Sequence, residues 1–195
     1  MVKYILVDVH GVLTQGDERK KFLLEMADKY NIDYDKHNSI WINYVNSLDK
    51  KIESSNKYIK KFNQIFNTNF SVDQYFKMFL DQIVPNQELL EKLNSLKKYP
   101  VCIVSDNLID LSHGLNKIFG PIFESYQKFY SHDFGLTKSE GLLKKVLEKL
   151  KVDPQDCLFI DDSPKNMEAA KSLGIKALLF ENNQKLFTEL NNFLN

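Results

Sequence analysis

The run Lys3-Tyr4-Ile5-Leu6-Val7-Asp8-Val9-His10-Gly11-Val12-Leu13-Thr14 decides how the rest of the chain reads. Lys3 to Val9 is a short, nearly continuous apolar block rich in Val, Ile and Leu. That is the pattern of a strand buried on both faces. An acid, Asp8, interrupts it, and Gly11 then lets the backbone turn sharply. Open α/β sheets present their functional groups beyond the carboxyl ends of such strands.

Two further blocks follow the same design. Val101 to Val104 stops at Ser105-Asp106-Asn107, and Leu158-Phe159-Ile160 stops at Asp161-Asp162. Tyr126 to Ser131 and Lys176 to Phe180 read as two more strands. Helical periods separate them, over Glu88 to Lys98, Leu108 to Phe119, the segment after Thr137-Lys138-Ser139, Lys165 to Leu173 and Gln184 to Leu194. Alternating strands and helices predict an α/β fold, a doubly wound, Rossmann-like parallel sheet covered on both faces. Between Asp17 and Ile83 the pattern changes, and only helical stripes occur. Phe22, Leu23, Met26, Ala27 and Tyr30 form the first. Trp41, Tyr44, Val45, Leu48 and Ile52 form the second; Ile59, Phe62, Ile65 and Phe66 the third; Tyr75, Phe76, Phe79, Leu80 and Ile83 the fourth. The expected organisation is an α/β core over 1–15 and 85–195 with an all-helical cap inserted over 16–84, its aromatic stripes forming the cap's core.

Composition narrows the function. Lys+Arg and Asp+Glu are equal at 26 each, which gives no electrostatic case for nucleic acid or an anionic membrane. Cys102 and Cys157 both fall inside apolar strand blocks, as buried thiols in a reducing compartment do. No signal-peptide pattern opens the sequence and no stretch reaches the length of a membrane span, so the expected location is cytoplasmic. His37, His113 and His132 lack metal-ligand spacing and read as surface or partly packed residues.

The strand ends carry the chemistry. Asp8 and Asp161 can converge as paired carboxylates, oxygen ligands that suit Mg²⁺. Ser105 offers a hydroxyl, Asn107 an amide and Lys138 a fixed positive charge. A phosphoryl group needs this combination: a cation on one side, donors on the other, and an acid placed in line as a nucleophile.

Asp8-x-His10-Gly11-Val12, Ser105, Lys138 and Asp161-Asp162 together resemble the four ordered motifs of the haloacid dehalogenase (HAD) superfamily. The stretch from Phe159-Ile160-Asp161-Asp162-Ser163-Pro164-Lys165-Asn166 to Leu173-Gly174 is especially similar to the fourth. The inserted helices resemble the cap of the subfamily I phosphatases. The resemblance implies a Mg²⁺-dependent hydrolase acting on a small phosphorylated metabolite through an aspartyl phosphate on Asp8. It also implies metal ligation by Asp8, the His10 backbone carbonyl and Asp161, with Asp162 supporting through water, and phosphoryl binding by Ser105 and Lys138. One position departs: the family's phosphatases usually carry a second Asp, the general acid and base, where this chain has His10. A histidine can do both jobs near neutral pH. The alternative is a slow or silent protein that binds phosphorylated ligands or a protein partner. Dehalogenase, phosphonatase and phosphomutase chemistries rank below both.

Overall fold

The computed structural model describes residues 2–194, apart from the side chains of Asn46 and Leu48. Five strands form one parallel sheet: β1 (Tyr4–Val7), β2 (Val101–Ser105), β3 (Gln127–Tyr130), β4 (Cys157–Asp161) and β5 (Lys176–Leu179), in the order β3-β2-β1-β4-β5. The chain winds outward from β1 through β2 to β3, then returns to place β4 on the other side of β1. The switch point therefore lies between β1 and β4, where open sheets bind their ligands. Val7 pairs with Ile160, so the residues that follow, Asp8 and Asp161, emerge side by side.

Helices α1 (Glu18–Tyr30), α2 (Tyr34–Asp49), α3 (Ser55–Phe66) and α4 (Val72–Leu80) lie between β1 and β2, followed by α5 (Gln87–Ser95). Then come α6 (Ile109–Phe119), α7 (Pro121–Glu124), α8 (Ser131–Phe134), α9 (Leu142–Leu150), α10 (Pro164–Ser172) and α11 (Asn183–Leu194). Alternation along the strands divides the core. Ile5, Val7, Ile103, Leu158 and Ile160 face α5, α6 and α11, while Leu6, Cys102, Val104, Cys157 and Phe159 face α9 and α10. The two cysteines are free and buried, as the sequence suggests. No helix among the described residues is long and apolar enough to cross a membrane.

The helices inserted after β1 pack on an aromatic core that is continuous with the α5/α6/α11 side of the sheet. Phe22, Trp41, Tyr58, Phe62, Tyr75, Phe76 and Phe79 are all buried, and Trp41 stacks on Phe79 with centroids 5.3 Å apart. Ile52 departs from the sequence reading: α2 ends at Asp49, which leaves Ile52 exposed in the following turn. The side chain of Leu48, placed in the same stripe, lies outside the described ones. The chain enters and leaves this insertion through one antiparallel bridge, Thr14 to Pro85. Asn86 fastens it, its amide donating to the Val12 carbonyl at 3.1 Å.

His37 also departs from expectation. It is wholly buried in the insertion's core, its Nε2 2.6 Å from the Tyr75 hydroxyl, which in turn lies 2.8 Å from that of Tyr58. A lone histidine on an amphipathic helix gives no sign in sequence that its polar face will be enclosed.

Candidate active site

Beyond β1 the backbone turns at once: the Val9 carbonyl accepts from Leu13 and Thr14, and Gly11 adopts φ +77°. A Cβ on Gly11 would stand 2.2 Å from an Asp162 carboxylate oxygen, so only glycine lets this turn approach the end of β4. The Asp8 carboxylate accepts from the Val9 N–H at 2.7 Å and is 6% exposed.

Lys138 opens a short 3₁₀ turn whose cap is Thr137, paired reciprocally with Glu140. The Asp106 carboxylate accepts from the Lys138 N–H at 2.8 Å and fixes that turn against the end of β2. The Lys138 amine then lies 2.6 Å from Asp8 and 2.7 Å from Asp161, with its side chain 2% exposed. Asp161 accepts from the Ser163 N–H at 2.8 Å and from the Asn166 amide at 3.2 Å, which ties it to the start of α10. One carboxylate oxygen from each of Asp8, Asp161 and Asp162 lies within 4.8 Å of the others.

One lysine does not balance this cluster. Burial opposes the charge on Lys138, yet Asp8, Asp161 and Asp106 hold it protonated, well above its ordinary range. Even so, burial and the Asp8 charge push both Asp161 and Asp162 upward against the pull of Lys138. Burial raises Asp106 as well. Crowded oxygen donors with their negative charge only part-neutralised are a donor set that fits a hard divalent cation.

His10 leans away from the cluster. Its Nδ1 lies 2.6 Å from Glu18, a buried first-turn residue of α1 whose carboxylate also accepts from the Thr14 hydroxyl at 3.2 Å. Burial disfavours the imidazolium, but the Glu18 hydrogen bond and charge, together with Asp8, outweigh it and hold His10 above its ordinary value. A carboxylate on Nδ1 fixes the tautomer and leaves Nε2 as the working nitrogen.

The structure brings Asp8, Lys138, Asp161 and Asp162 together as the sequence suggests, with His10 alongside. Ser105 ends β2 wholly buried, its hydroxyl without a partner among the described residues. Asn107 stands elsewhere: it lines a second cavity beyond His10 rather than the one holding Asp8 and Lys138. Three acids near the site, Asp106, Glu18 and Asp49, are less conspicuous in the sequence. Asp106 sits between two residues already singled out at a strand end, so its signal was present. Glu18 follows the Asp17 cap in the first turn of α1, a place where acids are common. Asp49 closes α2 in a polar stretch and carried no signal at all.

Residues 2–174 match the family model of the haloacid dehalogenase-like hydrolases. The chain belongs to that family. Among curated proteins it is 28% identical over 145 residues to bifunctional epoxide hydrolase 2 of Rattus norvegicus, covering 71% of this chain and 26% of that protein. It is 26% identical over 97 residues to enolase-phosphatase E1 of Aquifex aeolicus, covering 47% and 43% respectively. The chain thus spans only about a quarter of the length of the rat protein. A HAD family enzyme of Bacteroides thetaiotaomicron, crystallised with magnesium and inorganic phosphate, superposes with a TM-score of 0.78 at 21% identity, over 96% of this chain and 100% of that one. A predicted HAD-like family hydrolase of Porphyromonas gingivalis gives 0.83 at 17% identity over 100% and 98%. At these identities the likeness is one of fold.

Proposed function

We propose that this chain is a Mg²⁺-dependent phosphomonoesterase acting on a small phosphorylated metabolite, with residues 16–84 serving as a cap over the site. The observation that carries the reading is the convergence of Asp8, Asp161 and Asp162 around one buried lysine at the sheet's switch point. The Bacteroides enzyme, which shares the fold, binds magnesium and phosphate. Asp8, Asp161 and the His10 carbonyl would hold Mg²⁺, with Asp162 supporting through water. Bound there, Mg²⁺ would neutralise charge on Asp8 and on the phosphoryl oxygens.

The remaining steps use the chain's own groups. The Asp8 carboxylate attacks phosphorus in line with the ester oxygen. The phosphorus–ester bond breaks, and the departing oxygen takes a proton from His10 Nε2. The aspartyl phosphate is then opened by water, which gives its proton back to Nε2. Inorganic phosphate leaves and free Asp8 returns. Lys138 and the unpartnered Ser105 hydroxyl would hold the transferring oxygens. Glu18 supports His10 as a working acid and base, because it holds the ring and stabilises its charged form.

The test is hydrolysis of para-nitrophenyl phosphate with and without Mg²⁺. Wild type should turn over only with the metal, and Asp8→Asn should lose at least about 10³-fold. Equal rates for the two proteins would overturn the reading. Phosphate binding without turnover in wild type, with a large gain in His10→Asp, would favour the silent alternative.

A further inference from the structure

Two cavities meet at His10. The larger, about 490 Å³, holds Asp8, Lys138 and Asp162 and is the place for the phosphoryl group. The smaller, about 170 Å³, opens between α2, α4 and the start of α6, beneath Trp41, Phe79 and Leu111. A phosphate seated on Asp8 would direct its leaving group past His10 into this second space. A cavity of about 150 Å³ takes one benzene ring, so the leaving group is a single ring or a short chain and not a nucleoside.

The walls are mostly apolar, yet the Asp49 carboxylate and the Asn107 amide stand in them. The Asp49 carboxylate has no hydrogen bond or ion pair among the described residues. Asn107 is 2% exposed, and its amide, which lies beside His10 and helps to keep that ring charged, has no other partner among the described residues. The neighbouring charges are committed elsewhere. His10 also lines this space, but its charge is paired with Glu18, and Asp106 holds the Lys138 backbone. Arg19 is exposed at the rim and also lines the phosphate-side cavity, where its guanidinium suits the phosphoryl dianion. An anionic leaving group would enter against Asp49 and Asp106 together. A cationic one would meet an unpaired carboxylate, an amide oxygen and aromatic surface, the combination that recognises ammonium groups.

Building on the phosphatase reading, we propose that the second cavity is an ammonium subsite with Asp49 as its counter-charge, and that the substrate is the phosphate monoester of a short amino alcohol. Burial and the Asp106 charge push the Asp49 carboxyl up to about 7, a strain that a bound cation relieves.

Trp41 is the only tryptophan in the chain and lines the cavity, so its fluorescence reports occupancy directly. With Mg²⁺ present, aminoethylphosphonate, propylphosphonate, carboxyethylphosphonate and inorganic phosphate are titrated against wild type and Asp49→Asn. Aminoethylphosphonate should bind wild type about 10- to 100-fold more tightly than propylphosphonate, and Asp49→Asn should collapse that ratio toward one. Equal affinity for the amino and propyl compounds in wild type overturns the subsite while leaving the phosphatase reading standing. So does tightest binding of carboxyethylphosphonate, which would mark Arg19 as the selecting group. Failure of all four to bind overturns both. An amino preference that survives in Asp49→Asn overturns the assignment of the counter-charge.

Discussion

Lowering the pH should weaken this fold through His37, by an amount the structure sets. The ring is 0% exposed, its Nδ1 has no partner among the described residues, and the rings of Phe22, Phe62 and Phe66 lie 5.5, 4.9 and 5.9 Å away. Burial without a compensating acid pushes its pKa down from 6.5 to about 4. The folded chain therefore keeps His37 neutral in a range where the unfolded chain has already taken up a proton. The unfolded state binds more protons, so stability is full above pH 6.5 and is lost as pH falls toward 4, at about 1.4 kcal/mol per unit. The loss from this one group reaches about 2 kcal/mol at pH 5 and about 3 kcal/mol below pH 4. His37→Gln keeps a partner for Tyr75 but does not titrate. Urea unfolding of both proteins at pH 7.5 and pH 5 isolates the term, because every other titrating group cancels in the difference. Wild type should lose about 1 M more in midpoint than the variant. Parallel losses would show that His37 is not held neutral and would refute the reasoning.

Glu18→Gln removes the charge that holds His10 and is expected to lower kcat by about 10- to 100-fold while KM changes little; steady-state kinetics on an aryl phosphate checks it, and an unchanged kcat would leave His10 without an orienting role. Gly11→Ala puts a Cβ 2.2 Å from the Asp162 carboxylate and a side chain on a φ of +77°. The backbone alone costs about 1–2 kcal/mol, about 2–8 °C in Tm, and Mg²⁺ affinity read by calorimetry should fall with it. Lys138→Met leaves Asp8 and Asp161 without their shared cation and should cost about 3–5 kcal/mol in urea unfolding, since a buried acid deprived of its partner stays buried; retention of wild-type stability would contradict this.

The sequence displayed the sheet well, because each strand is an apolar block cut off by a polar residue, and that cut marks both the strand end and the chemistry. Asp8, Lys138, Asp161 and Asp162 were legible for this reason. Residues whose role depends on a partner from another element were not. Glu18 serves His10 only because Asp17 starts α1 immediately after the turn at Gly11. Asn107 lies one residue beyond Asp106, and where Asp106 lines both cavities, Asn107 lines only the one beyond His10. Asp49 became part of the site through the docking of α2 on α8, where the Ser131 hydroxyl donates to the Asp49 carbonyl at 2.7 Å. Helical periods report which face is apolar, not what that face will meet.

The order of the strands also dictates when the chemistry can exist during synthesis. Asp8 follows β1, yet Asp161 stands beside it only after β4 has been made and has paired with β1, at the far end of a long loop closure. A chain extended only as far as β3 already holds Asp8 and the Ser105 hydroxyl, but neither Lys138 nor Asp161. The cluster of Asp8, Lys138 and Asp161 is therefore complete only once β4 stands beside β1.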